Sequence, residues 1–361
     1  MKKLLSILLL LVLSVSLVAC GDTPVTDLPD TGSEDVKNTE ISDKNTEDSD
    51  EKEEWKPLDV MDNKVLVSDY KSKRIIVYDL DLVGDDGDLK DAEIWVLENA
   101  YSASVKYRED TVFGDVILHT ADYNASIVDY ETKEVVWVAP GVAGWGVHSI
   151  EILPSGNIVT AGATDGILRI FNSANCVNEG DEISYEDIPG LPSAHGVLWD
   201  PEYNCLWALG GNELAAYRVV DNGDGTETLK KIQGMGAELP ADGRGGHDLA
   251  ADLLDTRYLW CTSSKVYRFD KEEGVFTTRY DGNNKLNKDG VKGFGNNLNN
   301  NFFYTQSKFQ DPAWETEETP AWTTDTITYG YWKKENFLYL KKCVDKDAAF
   351  YKVRVFYGKY Q

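Results

Sequence analysis

The chain has 361 residues, with 62 acidic side chains against 36 Lys and Arg and a formal net charge of −26. So negative a surface does not suit nucleic acid or an anionic lipid face as a partner. The five cysteines show no Cys-x-x-Cys or Cys/His zinc spacing, so redox and structural-zinc chemistry are not indicated, and the length suits one large domain with extra segments.

The chain begins Met1-Lys2-Lys3, runs apolar from Leu4 to Ala19, and reaches Leu17-Val18-Ala19-Cys20. A basic start and a short apolar run read as a secretory signal rather than a spanning helix. The last four residues resemble the lipobox of bacterial lipoproteins, which implies lipidation at Cys20; an ordinary cleaved leader with a chance cysteine is the alternative. Residues 21–58 carry no apolar periodicity, and from Gly21 to Lys56 there are 13 acidic against 4 basic residues. Such a stretch buries too little apolar surface to offset its ordering entropy and reads as a disordered tether. The expected protein is monomeric and held on the extracytoplasmic face of the cell membrane by its lipid anchor alone.

Residues 59–361 read as one all-β domain. Lys64–Tyr70, Arg74–Asp79 and Glu93–Glu98 are three strands with no inner strand before them. A second group follows, opening at Val105-Lys106-Tyr107-Arg108. The next three groups open at His148, His195 and His247, each with short apolar strands separated by Pro-Ser-Gly, Thr-Asp-Gly or similar turn chemistry. A sixth opens at Val291-Lys292, and one strand, Phe350–Tyr357, is left over. Repeats of about 40–50 residues with four short strands each are propeller blades. The predicted fold is a six-bladed β-propeller whose C-terminal strand closes the ring as the inner strand of blade 1, which also removes two open sheet edges. Trp199, Trp207 and Trp260 stand in the repeated strands and suit packing between blades. Cys205 and Cys261 fall in apolar strands, where a buried free thiol is common.

The first strand of each blade lines a propeller's channel. Aligning these strands by their starts places Lys352, Lys106, His148, His195, His247 and Lys292 at one repeat position, every one basic or able to become so. Arg108 and Arg354 follow two residues after Lys106 and Lys352, on the same strand face. No carboxylate is expected in this ring. Three readings stay open. The side chains fill the channel and bond to backbone or water; they focus positive potential on a carboxylate or phosphate; or His148, His195 and His247 hold a divalent metal such as Mn or Zn with one open position. The loop from Gln306 to Thr323 is the longest of its kind and carries Trp314 and Trp322, which are placed to stack on a sugar ring. Arg244 is a further basic residue at the rim. Neighbouring lysines should lower the histidine pKa values, and anion affinity is expected to rise as pH falls from about 7 toward 5.

The segments His148-Ser-Ile-Glu-Ile-Leu-Pro-Ser-Gly-Asn157, His195-Gly-Val-Leu-Trp-Asp, Gly246-His247-Asp-Leu, Val291-Lys292 and Trp322-Thr-Thr-Asp-Thr resemble an uncharacterised family of secreted bacterial six-bladed β-propellers, a domain of unknown function. The resemblance runs from about Lys64 to the C-terminus; it implies the fold and no activity. By looser analogy, oligogalacturonate lyases are propellers whose central histidines hold a manganese-type ion over an acidic sugar, without strand-for-strand correspondence to this chain. The expected function is therefore binding of an anionic, carbohydrate-derived ligand at a His/Lys mouth. The rivals are a metal-assisted uronate lyase or hydrolase, with no catalytic residue assigned, and a protein-binding scaffold. No Gly-x-Ser-x-Gly, His-Glu-x-x-His, dinucleotide-loop or EF-hand pattern occurs.

Overall fold

The computed structural model describes residues 63–359 except 101, 122–123, 143, 145, 175–182, 244, 279–285, 287 and 335–336. The leader, Cys20, the tether and Arg244 lie outside the described residues.

Six four-stranded antiparallel sheets make up the domain. From blade 2 to blade 6 the strands of each sheet follow chain order from the centre outward, with inner strands Ser104–Thr111, Val147–Ile152, Gly196–Asp200, Asp248–Ala251 and Val291–Asn296. Blade 1 takes its inner strand from the far end of the chain. Phe350–Val355 pairs with Lys64–Asp69 through Val65↔Val355, Leu66↔Arg354 and Val67↔Val353. Phe350 and Val353 are fully buried at this seam, and the Phe350 ring meets Tyr78 edge-on at 6.0 Å. Each buried apolar side chain of this size contributes roughly 2 kcal/mol. The apolar seam and the ladder together hold the ends of the domain closed.

Both faces of a blade are covered by its neighbours, so the second strands are apolar throughout rather than alternating. Ile158–Gly162 and Cys205–Leu209 are buried at every residue, whereas the outermost strand of blade 3, Tyr185–Pro189, is mostly exposed. The core is therefore a set of interfaces between adjacent blades. Trp207 of blade 4 packs edge-on against Phe269 of blade 5 at 5.6 Å, and its indole N–H donates to Asp200 at 3.0 Å. Asp200 also accepts from Lys271 at 2.5 Å, a fully buried ion pair joining the two blades. Trp199 and Trp260 are buried in the same way, and Cys205, Cys261 and Cys343 are free, buried thiols.

Candidate functional site

The six aligned basic residues occupy two depths of the channel. His148, His195, His247 and Lys292 stand at one mouth, around a cavity of about 430 Å³ that is also lined by Tyr70, Ala103, Trp322 and Tyr351. Lys106 and Lys352 lie deeper and are buried, with Arg108 and Arg354 beyond them at the opposite end.

Local backbone explains the split. The residue two before each of these mouth side chains has a left-handed conformation: Gly146 at φ 57°, Ser193 at 54°, Gly245 at 88° and Gly290 at 71°. That turn delivers His195 and His247 one residue before their strands begin, and His148 and Lys292 as second residues. Both second-position residues are the unpaired member of a β-bulge, since the ladder skips from Val147 to Ser149 and from Val291 to Gly293. A bulge re-aims a side chain away from the regular pleat. Ser193 holds its conformation at a backbone cost of order 1 kcal/mol. Lys106 and Lys352 follow no such turn and are third residues of their strands, farther in along the channel.

The absence of channel carboxylates expected from the sequence is corrected by two residues. Glu151 and Asp248 are both buried and project among the deep cations. Glu151 accepts from Arg108 Nε at 2.8 Å and Nη2 at 2.7 Å, and from Lys106 Nζ at 3.1 Å. Lys106 also donates to the Val197 carbonyl oxygen. Asp248 takes both terminal guanidinium nitrogens of Arg354, and Lys352 Nζ lies 3.7 Å from Asp248 Oδ1. Burial works to raise the Glu151 carboxyl, but Arg108 and Lys106 hold it below its ordinary range. Two carboxylates thus face four cations in the deep layer. Burial pushes Lys106 down to about 8 and Lys352 to about 7, against the partial support of Glu151 and Asp248 respectively.

The mouth has a different chemistry. Among the described residues, no Asp or Glu lines its cavity. His148 Nδ1 donates to the Gly146 carbonyl oxygen at 2.6 Å, and His195 Nδ1 donates to that of Ser193 at 2.8 Å. A carbonyl only accepts, so both rings carry a proton on Nδ1, and His195, kept neutral by burial, presents Nε2 as an acceptor. The His148 and His195 ring centroids are 4.3 Å apart, and His195 and His247 are 5.6 Å apart. His247 Nε2 lies 3.0 Å from Lys292 Nζ, while its buried Nδ1 has no partner among the described residues.

Burial, with nearby cations, pushes His195 down to about 2 and His247 to about 3. The expected gain of charge on these two rings between pH 7 and 5 is therefore corrected: both stay neutral over that range. The channel groups brought closest to neutral pH by burial are Lys352, at about 7, and Lys106 and Lys292, both at about 8.

Of the two loop tryptophans, Trp322 reaches the mouth. It sits edge-on between Tyr70 at 5.1 Å and Tyr351 at 4.8 Å. Trp314 packs within its own loop, with its indole N–H 3.2 Å from Thr323 Oγ1 and Lys308 Nζ 4.0 Å from its ring centroid. His119, outside the channel set, is a half-buried residue whose imidazole is pushed down to about 4 by desolvation, and its Nδ1 has no partner among the described residues. Tyr70 and Tyr351 are site residues that the sequence pattern did not single out. Tyr351 directly precedes Lys352, and Tyr70 directly follows the first strand, so only ring closure brings them together. Among the described residues, no three His, Cys, Asp or Glu side chains are placed to hold a metal ion.

No curated protein matches the sequence. Solved structures similar to this chain include one from a nidogen/laminin complex, at 12% identity and a TM-score of 0.53, covering 80% of this chain and 97% of that one. A protein of unknown function from Bacteroides caccae is also 12% identical, with a TM-score of 0.52, covering 81% of this chain and 98% of its own. At such identity the likeness concerns the fold alone. The chain is a six-bladed β-propeller whose residues 111–288 match the model of a family of unknown function, DUF6528.

Proposed function

We propose that the His/Lys mouth binds a small anionic, carbohydrate-derived ligand such as a uronate. The observation that carries this reading is the contrast in counter-charge: the deep cations face buried carboxylates, whereas the mouth cavity has Lys292 and no acidic lining among the described residues. A ligand carboxylate supplies the missing charge at Lys292, with Lys352 below it. The neutral Nε2 acceptor of His195 suits a sugar hydroxyl, and Trp322 offers an apolar face at the rim. Calorimetric titration with galacturonate and galactose tests it. The acid should bind and the neutral sugar should not. Affinity should fall as pH rises from 7 to 9, because Lys292 and Lys352 lose charge over that range, and added salt should weaken it. Equal binding of both sugars, or no binding, defeats the reading.

A second reading is a divalent ion, Mn or Zn, on His148, His195 and His247, serving a lyase or hydrolase. The Nδ1–carbonyl contacts of His148 and His195 favour it, since metal-binding imidazoles are commonly oriented in this way. His247 would first have to leave Lys292. A chelator in the same titration separates the readings: it abolishes binding in the second and leaves the first unchanged.

The setting we propose is the extracytoplasmic face of a membrane, with Cys20 lipidated and residues 21–58 as spacer. It rests on the basic, apolar leader ending in Leu17-Val18-Ala19-Cys20. Cys20→Ala should move the protein from the membrane to the soluble fraction, and unchanged membrane association would refute the anchor.

A further inference from the structure

Three adjoining cavities run from the channel mouth outward over blade 6. The mouth cavity of about 430 Å³ shares His247, Lys292 and Trp322 with a second, of about 470 Å³, between blades 5 and 6. The second shares Asp289, Ser307 and Phe309 with a third, of about 500 Å³, beside residues 306–311 of the long loop. Clefts of about 300–1,000 Å³ hold whole small ligands. A monosaccharide at Lys292 therefore fills no more than the mouth, and the groove continues past it.

Two aromatic rings stand at the boundaries of this groove. Trp322 lies where the mouth meets the second cavity, and Phe309 where the second meets the third. Phe309 is 52% exposed, yet its ring is held from behind by backbone. It packs on Gly290 so closely that a Cβ added there would lie 2.6 Å from its Cε1. Gly290 is also the left-handed residue two before Lys292, so one turn places both the cation and the ring. A fixed ring that faces solvent among polar groups suits stacking by the apolar face of a sugar.

The charge changes along the groove. Beyond Lys292, the second cavity is lined by Asp242 and Asp289. Lys265 pairs with Asp242, whereas Asp289 has no ion pair among the described residues, so the balance there is negative. The third cavity is even, with Lys288 and Lys308 against Asp289 and Asp311. A second carboxylate directly after the first would meet Asp289 as a like charge, which disfavours it.

We propose that the ligand is an oligosaccharide with one acidic sugar at its end and neutral sugars after it. The acidic unit occupies the mouth at Lys292. The next unit lies in the second cavity, past Trp322, and the chain crosses the Phe309 ring into the third. The acidic end rests on the anion-site reading above; the groove beyond it does not.

The test is calorimetric titration of the full chain at pH 7 with four ligands: glucuronate, glucuronosyl-xylobiose, neutral xylotriose and trigalacturonate. Glucuronosyl-xylobiose should bind about tenfold tighter than glucuronate, the gain expected of one added aromatic contact. Trigalacturonate, of the same length but acidic throughout, should bind more weakly than glucuronosyl-xylobiose, and Asp289→Asn should narrow that gap. Phe309→Ala should bring glucuronosyl-xylobiose down to the affinity of glucuronate for the wild type. The central comparisons use the wild-type protein, so they do not depend on a variant folding. Equal affinity for glucuronosyl-xylobiose and glucuronate overturns the groove and leaves the anion site standing. Xylotriose binding as tightly as glucuronosyl-xylobiose supports the groove and overturns the anion site. Trigalacturonate binding as tightly as glucuronosyl-xylobiose overturns the neutral second unit, and no binding of any of the four overturns both readings.

Discussion

The two layers of the channel hold the same kinds of side chain and have opposite characters. In the deep layer, Lys106 and Arg108 close on Glu151, and Lys352 and Arg354 close on Asp248, all buried. Each acid comes from a different blade than its cations, so these pairs tie blade 2 to blade 3 and blade 1 to blade 5 across the channel. At the mouth, His148 and His195 bond locally to the carbonyl two residues upstream, and the one lysine rests on the neutral His247 ring. A repeat position that is basic thus becomes a strut where another blade supplies an acid, and a cavity-facing group where none does. The physical difference is whether the charge is neutralised within the protein.

This contrast can be broken first in the deep layer. Glu151→Gln leaves Lys106 and Arg108 buried without a counter-charge, and removing one member of a buried pair costs about 3–5 kcal/mol. Denaturant unfolding should show a loss of that order, whereas His148→Gln at the mouth should cost under about 1 kcal/mol. Similar losses for the two variants would erase the distinction between strut and site.

The smaller effect is on acid stability. His195 and His247 have folded-state values of about 2 and 3, below the ordinary 6.5. Between those values and 6.5 the unfolded chain binds protons that the folded chain does not, so stability rises with pH through that window and is lost as pH falls below about 6.5. At pH 5 each histidine should account for up to about 2 kcal/mol of the loss. The double variant His195→Gln/His247→Gln should therefore lose less stability between pH 7 and 5 than the wild type. An identical slope would mean that these rings are protonated in the folded protein.

Much of the architecture was legible in the chain because it follows from repetition. Apolar strands between turn residues, recurring from His148 to His195 to His247, specify blades; a missing strand at one end and a spare one at the other specify how the ring closes. The layering of the channel was less legible, although a signal was present. Gly146-Val-His148, Ser193-Ala-His195, Gly245-Gly-His247 and Gly290-Val-Lys292 share a turn-forming residue two before the cation, while Lys106 and Lys352 follow Ser104-Val and Phe350-Tyr. That small difference sets the depth of each side chain, and aligning strands by their first residues hides it.

The acids of the channel show where local sequence stops. Glu151 in Ser149-Ile-Glu151 and Asp248 directly after His247 were in plain view, but nothing near them in the chain says that they meet Arg108 and Arg354. The partners are 43 and 106 residues away, and only the closed ring sets them at hydrogen-bonding distance. Burial decides the rest, since the proton affinity of His195, His247, Lys292 and Lys352 depends on how much water the assembled blades exclude. Composition and period by themselves determined the blade, its count and its closure, because these depend on which residues lie adjacent along a strand. Only the tertiary structure decided which basic groups are neutralised and which face the mouth cavity, because charge compensation acts through space between segments that the sequence keeps apart.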